Sequence, residues 1–216
     1  MKPARGETSC AYLRPRCWIW HLHDSPSQQH GSRILVMPMA RVRRCGPADI
    51  EAICAVINDA ATAYRGVIAP DCWKEPYMPK DELEEEIESG VVFWGYEDNG
   101  LLLGVMGLQR VDDAWLIRHA YVRSDHQGKG IGGSLIQKLR QEARPPVLVG
   151  TWAAATWAIR FYESRGFVKV SRSEKDELLR RYWRVSKRQM EESVVLVQSG
   201  SSPSGISARV QEEPPV

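Results

Sequence analysis

The chain has 216 residues, 43% of them hydrophobic and 26% charged, with a formal net charge of +2. That length supports one domain with a substantial core. The near-neutral balance excludes a general electrostatic footprint for nucleic acid, and no apolar run approaches the ~18 residues that span a bilayer. The charge is uneven, because residues 1–39 carry five Lys/Arg (Lys2, Arg5, Arg14, Arg16, Arg33) against Glu7 and Asp24. The segment AYLRPRCWIWHL is broken by Arg14, Pro15 and Arg16, too short and too charged for a secretory apolar core. Residues 1–39 are expected to be a disordered N-terminal extension. A transit peptide, or translation from an upstream start ahead of Met37 and Met39, are the competing readings. The five cysteines (10, 17, 45, 54, 72) form no CxxC and no paired metal spacing. An odd count without a secretory signal points to reduced thiols and a cytoplasmic location.

In chain order, Arg41–Cys45 suits a short strand. In residues 46–66, Ile50, Ile53, Cys54, Ile57, Ala61 and Tyr64 recur at intervals of three and four, the helical period. Pro47 and Gly66 suit the two ends. A loop with Trp73 and Tyr77 follows. The stretch DELEEEIESG then predicts a short helix with Leu83 and Ile87 inward and its six acids on a solvated face. VVFWGYE (91–97), a DNG turn and LLLGVMGLQRV (101–111) predict a hairpin whose second strand is central. WLIRHAYV (115–122) is another strand. HQGKGIGG leads into a helix to about Ala143 that buries Ile131, Leu135, Ile136 and Leu139. A strand at 147–151, a helix ending at Gly166, a short strand VKVS, a helix EKDELLRRYW and a strand at 193–197 complete the domain. Residues 198–216 have the composition of a disordered tail. Antiparallel strands first and helix–strand alternation later predict an α/β fold, a mixed and mostly antiparallel sheet with helices on both faces.

Four glycines at the start of a helix call for an anion, because the first helical N–H groups have no intrahelical partner and carry the positive end of the dipole. A Walker A loop fails, since Gly128-Lys129 is followed by Gly130 rather than Ser or Thr. Gly128, Gly130 and Gly133 formally match GxGxxG. However, RSDHQ separates the strand from the first glycine, and the next strand ends at Gly150-Thr151-Trp152 without an acid. The remaining pattern is Q/R-x-x-G-x-G/A, filled by Gln127, Gly130 and Gly132. It resembles the pyrophosphate loop of the GNAT superfamily of N-acetyltransferases. A second segment, 155–167, is similar to the family motif N-x-x-A-x-x-x-Y-x-x-x-G-F, with Ala158, Tyr162, Gly166 and Phe167 in place. Ala155 stands where the family usually has Asn, and Ser124 where it frequently has Pro. The resemblance covers about residues 40–197.

The resemblance implies acetyl-CoA as co-substrate, no metal, and direct transfer to a primary amine in a ternary complex. Gln127, Gly128, Lys129, Gly130, Ile131 and Gly132 would hold the pyrophosphate. The strand amides near Ala120 and Val122 would meet the pantetheine and the thioester oxygen, where the strand splays from the one after the loop. Tyr162 would lie beside the sulfur, and a phenol with pKa ~10 is protonated at neutral pH and able to donate. The family's early-strand glutamate is absent, Leu116 and Ile117 standing there. His119 is the candidate base, although alternation puts it opposite Arg118, Ala120 and Val122. Glu97, Asp113 and a water relay are the alternatives. Trp73, Tyr77, Tyr96 and Trp152 are the candidate acceptor wall, which suits a small-molecule amine as partner. Neither nucleic acid nor membrane is expected, and a homodimer is left open. Two rival functions remain: a CoA-binding sensor or pseudoenzyme, and a protein N-terminal or lysine acetyltransferase.

Overall fold

The helical spacing of 50–64 buries as it should. The computed structural model describes residues 40–200. The expected N-terminal extension and most of the expected tail lie outside those residues. Helix α1 (Ile50–Ala61) enters through a 3-10 turn, Pro47–Asp49, and leaves through another, Thr62–Tyr64. Its residues Ile53, Val56 and Ile57 pack with Leu83 of α2 (Lys80–Glu88) over Phe93, Leu102 and Val105. On the other side, α3 (Ile131–Glu142) sets Ile131, Leu135, Ile136 and Leu139 over Met106, Leu108 and Ile117. Tyr162 of α4 (Thr156–Glu163) joins that layer. Val105 and Met106 are adjacent yet belong to different layers. That is the period of two along a strand buried on both faces. Helix α5 (Arg172–Tyr182) packs Leu178, Leu179 and Tyr182 on Leu116, Leu148 and Val195.

The strands are β1 (Arg41–Arg44), β2 (Val92–Asp98), β3 (Leu101–Val111), β4 (Ala114–Val122), β5 (Val147–Trp152), β6 (Phe167–Lys169) and β7 (Ser193–Gln198). They form one sheet in the order β1-β2-β3-β4-β5-β7-β6. Every neighbouring pair is antiparallel except β4 and β5. The parallel joint arises because α3 carries the chain across between those two strands. The mixed, mostly antiparallel sheet with helices on both faces is therefore present as expected. One helix was not anticipated: α6 (Lys187–Glu191) is too short to show a period and is marked only by its Ser186–Gln189 capping box. Strand β7 reaches Gln198, one residue beyond the expected domain end.

Two features of β4 open the sheet. Its pairing with β5 is confined to Trp115↔Val147, Leu116↔Leu148 and Ile117↔Val149. Its pairing with β3 slips by one residue between Val105↔Tyr121 and Gly107↔Arg118. His119 lies in that bulge with φ at 49°. A bulge bends and twists the strand that carries it, and β4 leaves β5 just where it occurs.

The first strand is held electrostatically. Arg43 reaches Glu97 at 2.6 Å and Asp49 at 2.8 Å. The hydrogen bond from Arg43 lowers the Asp49 carboxyl from 3.8 to about 2. A lowered carboxyl stabilises the folded chain above its unfolded pKa, and that contribution is lost as pH falls through the folded value. Melting temperature should therefore fall between about pH 4 and pH 2. The fall should be shallower in Asp49→Asn. Parallel pH curves for the two proteins would contradict this assignment.

Candidate active site

Beyond Ile117 and Val149 the two central strands diverge, and a cavity of about 220 Å³ lies beside the gap. One wall is the end of β4, with Ala120, Tyr121 and Val122. A second is the start of α3, with Gln127, Gly128, Ile131 and Gly132. Helix α4 contributes Trp157, Ala158, Phe161 and Tyr162, and the end of α1 contributes Ala60 with Ala63 and Tyr64 beyond it. Seven sequence-derived site residues thus meet at one place: Ala120, Val122, Gln127, Gly128, Ile131, Gly132 and Tyr162.

The glycines divide into two kinds. Gly128 and Gly130 have φ of +75° and +83°, and a Cβ on either would meet nothing within 4 Å. They are required by backbone conformation, which L side chains enter at a cost of roughly 1–2 kcal/mol. The open space over them is where an anion could reach the bare N–H groups of the first turn of α3. Gly132 and Gly133 lie against side chains instead, a ring at Gly132 and the movable end of an exposed arginine at Gly133. A Cβ at Gly132 would sit 3.2 Å from the Phe161 ring, and one at Gly133 would sit 2.8 Å from the Arg165 guanidinium. The loop is pinned twice on the strand side of its glycines. Gln127 Nε2 donates to the Val122 carbonyl at 3.1 Å, and the Ser124 amide donates to the Asp59 carboxylate at 2.7 Å. Proline in place of Ser124 could not make the second bond. Lys129 is exposed and outside the lining.

Tyr162 is 4% exposed and stands edge-on to Phe161 and Phe167, with ring centroids 5.1 and 5.6 Å away. Burial raises its phenol well above the usual range, so it is a neutral donor at any ordinary pH. Ala155, at the start of α4, is fully buried against Ala61, Tyr64 and Ile68. An asparagine amide there would take the place of an apolar contact.

Two expectations need correction. His119 is not in the cavity lining. The bulge turns it toward α2, where it stacks on Phe93 with centroids 5.9 Å apart and faces Glu86 at 3.4 Å. It therefore shares a side with Arg118, which strict alternation denied, because the bulge suspends alternation. Glu86 is correspondingly drawn out of the solvated acidic face of α2. Tyr96 also lies elsewhere. With Trp94 it packs against the α3 layer, since even-numbered positions of β2 face that side. Glu97 is engaged by Arg41 and Arg43, and Asp113 accepts from the Tyr182 hydroxyl at 2.7 Å.

Trp73, Tyr77 and Trp152 do come together, as a second row behind the cavity. Trp152 Nε1 donates to the Tyr77 hydroxyl at 3.1 Å, and Trp73 lies 5.4 Å from Tyr77. Tyr77 is 5.7 Å from Tyr64 and 6.4 Å from Tyr121. Tyr64 in turn stacks on Trp157 at 5.8 Å. Tyr64, Tyr121, Trp157 and Phe161 are large aromatic lining residues that the sequence did not single out for the site. The available signals were the position of Tyr64 at the end of the α1 stripe, of Tyr121 between Ala120 and Val122, and of Trp157 and Phe161 inside the second motif. Burial pushes Tyr64 up to about 12 and Tyr121 well above its usual value. Among the described lining residues, the titratable side chain that is not a phenol is His126, whose Nδ1 lies 2.7 Å from Asp125.

A sheet that parts beside a glycine-rich helix start, with a buried tyrosine across the gap, defines the class of acyl-CoA-dependent acyltransferases. The family model described as an acetyltransferase (GNAT) domain matches residues 57–181. Human N-acetyltransferase 8 is 31% identical over 96 residues, which is 40% of this chain and 42% of that protein. The chain thus spans about two-fifths of the curated relative it matches. The structure of the PaiA N-acetyltransferase from Thermoplasma acidophilum, in complex with coenzyme A, aligns with a TM-score of 0.57 and 16% identity. That alignment covers 74% of this chain and 98% of that one. The N-acetylglutamate synthase of Neisseria gonorrhoeae, complexed with coenzyme A and N-acetyl-glutamate, aligns with a TM-score of 0.52 and 20% identity. It covers 74% of this chain and 35% of that one. These likenesses establish the fold. By the family match, the chain belongs to the GNAT acetyltransferases, whose donor is acetyl-CoA. Among the described residues, no helix is long and apolar enough to cross a membrane, and no three or more His, Cys, Asp or Glu are grouped to hold a metal.

The two kinds of glycine should separate on substitution. Gly130→Val should weaken CoA binding by an order of magnitude or more, with a loss of stability set by the strain of a β-branched residue at positive φ. Gly132→Val should lower the melting temperature as well, because the Phe161 ring must give way. Calorimetry and thermal unfolding of both variants check this. A Gly130→Val protein with wild-type CoA affinity would remove the loop from the donor site.

Proposed function

We propose that this domain transfers the acetyl group of acetyl-CoA directly to the primary amine of a small molecule with an apolar body. The observation that carries the reading is the composition of the cavity. Its backbone edge and helix start suit a thioester and its pyrophosphate, and its far wall is aromatic without a carboxylate. Acetyl-CoA supplies the activated acyl carbon when bound. The residues of this chain would then do three things. The amides of the Ala120–Val122 segment, which has no strand partner toward β5, would face the thioester oxygen as negative charge develops there. Tyr162, neutral through burial, would donate to the departing thiolate, whose own pKa near 8.5 makes a weak acid sufficient. The aromatic wall of Tyr64, Tyr121 and Trp157 would hold the acceptor's apolar part, with Trp73, Tyr77 and Trp152 fixing that wall from behind.

The attacking amine must be neutral, and only about one in a thousand lysine-like amines is neutral near pH 7. With no carboxylate in the lining, the proton would leave through water or to the His126 imidazole. That same lack favours the second reading, a CoA-binding sensor without turnover.

Thiol release measured with a panel of arylalkyl amines, amino acids and a peptide amine separates the readings. Arylalkyl amines should give the highest kcat/KM. Tight CoA binding with no release from any amine would establish the sensor instead, and peptide-dependent release alone would make the acceptor a protein. Tyr162→Phe should lower kcat by on the order of tenfold or more while CoA affinity stays within about twofold. Equal losses in both would make Tyr162 a packing residue.

A further inference from the structure

The bulge in β4 aims the strand end into the cavity, so whatever holds the bulge also holds the site. On an unbroken strand, adjacent side chains point to opposite faces. Arg118 and His119 are adjacent, yet both reach Glu86 of α2. Arg118 donates to Glu86 Oε1 at 2.7 Å, and His119 Nε2 lies 3.4 Å from Glu86 Oε2. One carboxylate with two oxygens therefore gathers two consecutive residues onto one face, and only the extra residue of the bulge permits that. His119 takes φ of 49° to do so, a conformation that non-glycine residues seldom adopt.

The surroundings make the contact consequential. Glu86 Oε2 and His119 Nε2 are both buried and have no other hydrogen-bond partner. Two facing buried polar atoms are costly unless a hydrogen lies between them, so the Nε2 hydrogen belongs on the Glu86 side. Burial works against the Glu86 charge, but His119 and Arg118 outweigh it and hold the carboxyl below its usual range. The contact extends into both strands. Arg118 also donates to Gln109 Oε1 at 2.7 Å, and Gln109 Nε2 donates to the Ser89 carbonyl at 3.0 Å. The end of α2 is thereby tied to β3 and β4. Just past His119, Ala120 and Val122 turn to the α3 layer and line the cavity.

We propose that Glu86 is a positioning residue for acyl transfer: by clamping Arg118 and His119 to one face of β4, it holds the bulge that presents the Ala120–Val122 backbone to the thioester end of the donor. The proposal rests on the reading of the cavity as the donor site. Glu86 itself touches no substrate and lies behind the strand. Its loss should disturb the thioester end of the site and leave the pyrophosphate end at α3 intact.

The test compares wild type with Glu86→Gln using two probes. One is acetyl-CoA turnover with the best amine of the panel. The other is binding of 3′-phosphoadenosine 5′-diphosphate, the CoA nucleotide without its pantetheine. Glu86→Gln should lower kcat about tenfold or more and raise KM for acetyl-CoA, since small displacements of a positioned group cost this much. Nucleotide affinity should stay within about twofold. If Glu86→Gln does not fold, His119→Asn serves, because asparagine tolerates positive φ but withdraws the Nε2 contact. Unchanged turnover in a folded variant, or equal losses for both probes, would overturn the clamp. A wild type that binds neither probe would overturn the underlying reading of the cavity and the clamp with it.

Discussion

The parting of β4 from β5 is the constraint on which the rest of this structure depends. A continuous sheet satisfies its own backbone groups and leaves none for a ligand. Here three residue pairs join the two strands, and then β4 bends away at a bulge. Because the strands are parallel, the crossover helix α3 must begin near the end of β4, so its unpaired N–H groups open beside the gap. The cavity, the glycine-rich turn and Tyr162 on α4 are all arranged around that opening. The sheet elsewhere is ordinary: an antiparallel meander on one side, and β5, β7 and β6 on the other.

The polar and apolar sides of the site follow from the same geometry. Its backbone side is the freed strand edge and the helix start, both rich in N–H donors. Its side-chain side comes from the ends of α1 and α4, where Tyr64, Trp157 and Phe161 meet Tyr121. Burial keeps the tyrosines neutral, so this wall offers aromatic surface and hydroxyls without charge. On the proposed reading, the donor end is specified by backbone and the acceptor end by aromatic packing. That division leaves the family's chemistry intact while the acceptor is free to differ.

The glycine-rich loop was legible in the sequence because it is local. Gln127, Gly130 and Gly132 are fixed by their spacing, as are Ala158, Tyr162, Gly166 and Phe167. The sheet was legible from period-two runs and from the order of its elements. What could not be read was the effect of a single inserted residue. The bulge at His119 cancels alternation, so a rule that holds along most of β4 assigned His119 correctly against Ala120 and Val122 but wrongly against Arg118. It also hid Glu86, which sits among five other acids of a helix that looks solvated throughout. Tyr96 went astray for a related reason: aromatic character says nothing about which face of β2 it occupies. The reason for Gly132 was likewise tertiary, because Phe161 is nearly thirty residues away in sequence.

The central claim is that the freed end of β4 and the first turn of α3 together receive the donor. The most direct test is to follow backbone amide resonances of the ¹⁵N-labelled protein while acetyl-CoA is added. The largest shifts should fall on Ala120, Tyr121, Val122 and the amides of Gly128–Gly132, with the β1–β2 edge unmoved. Shifts confined to another surface, or an unaffected β4 end alongside a shifted α3 loop, would contradict the account.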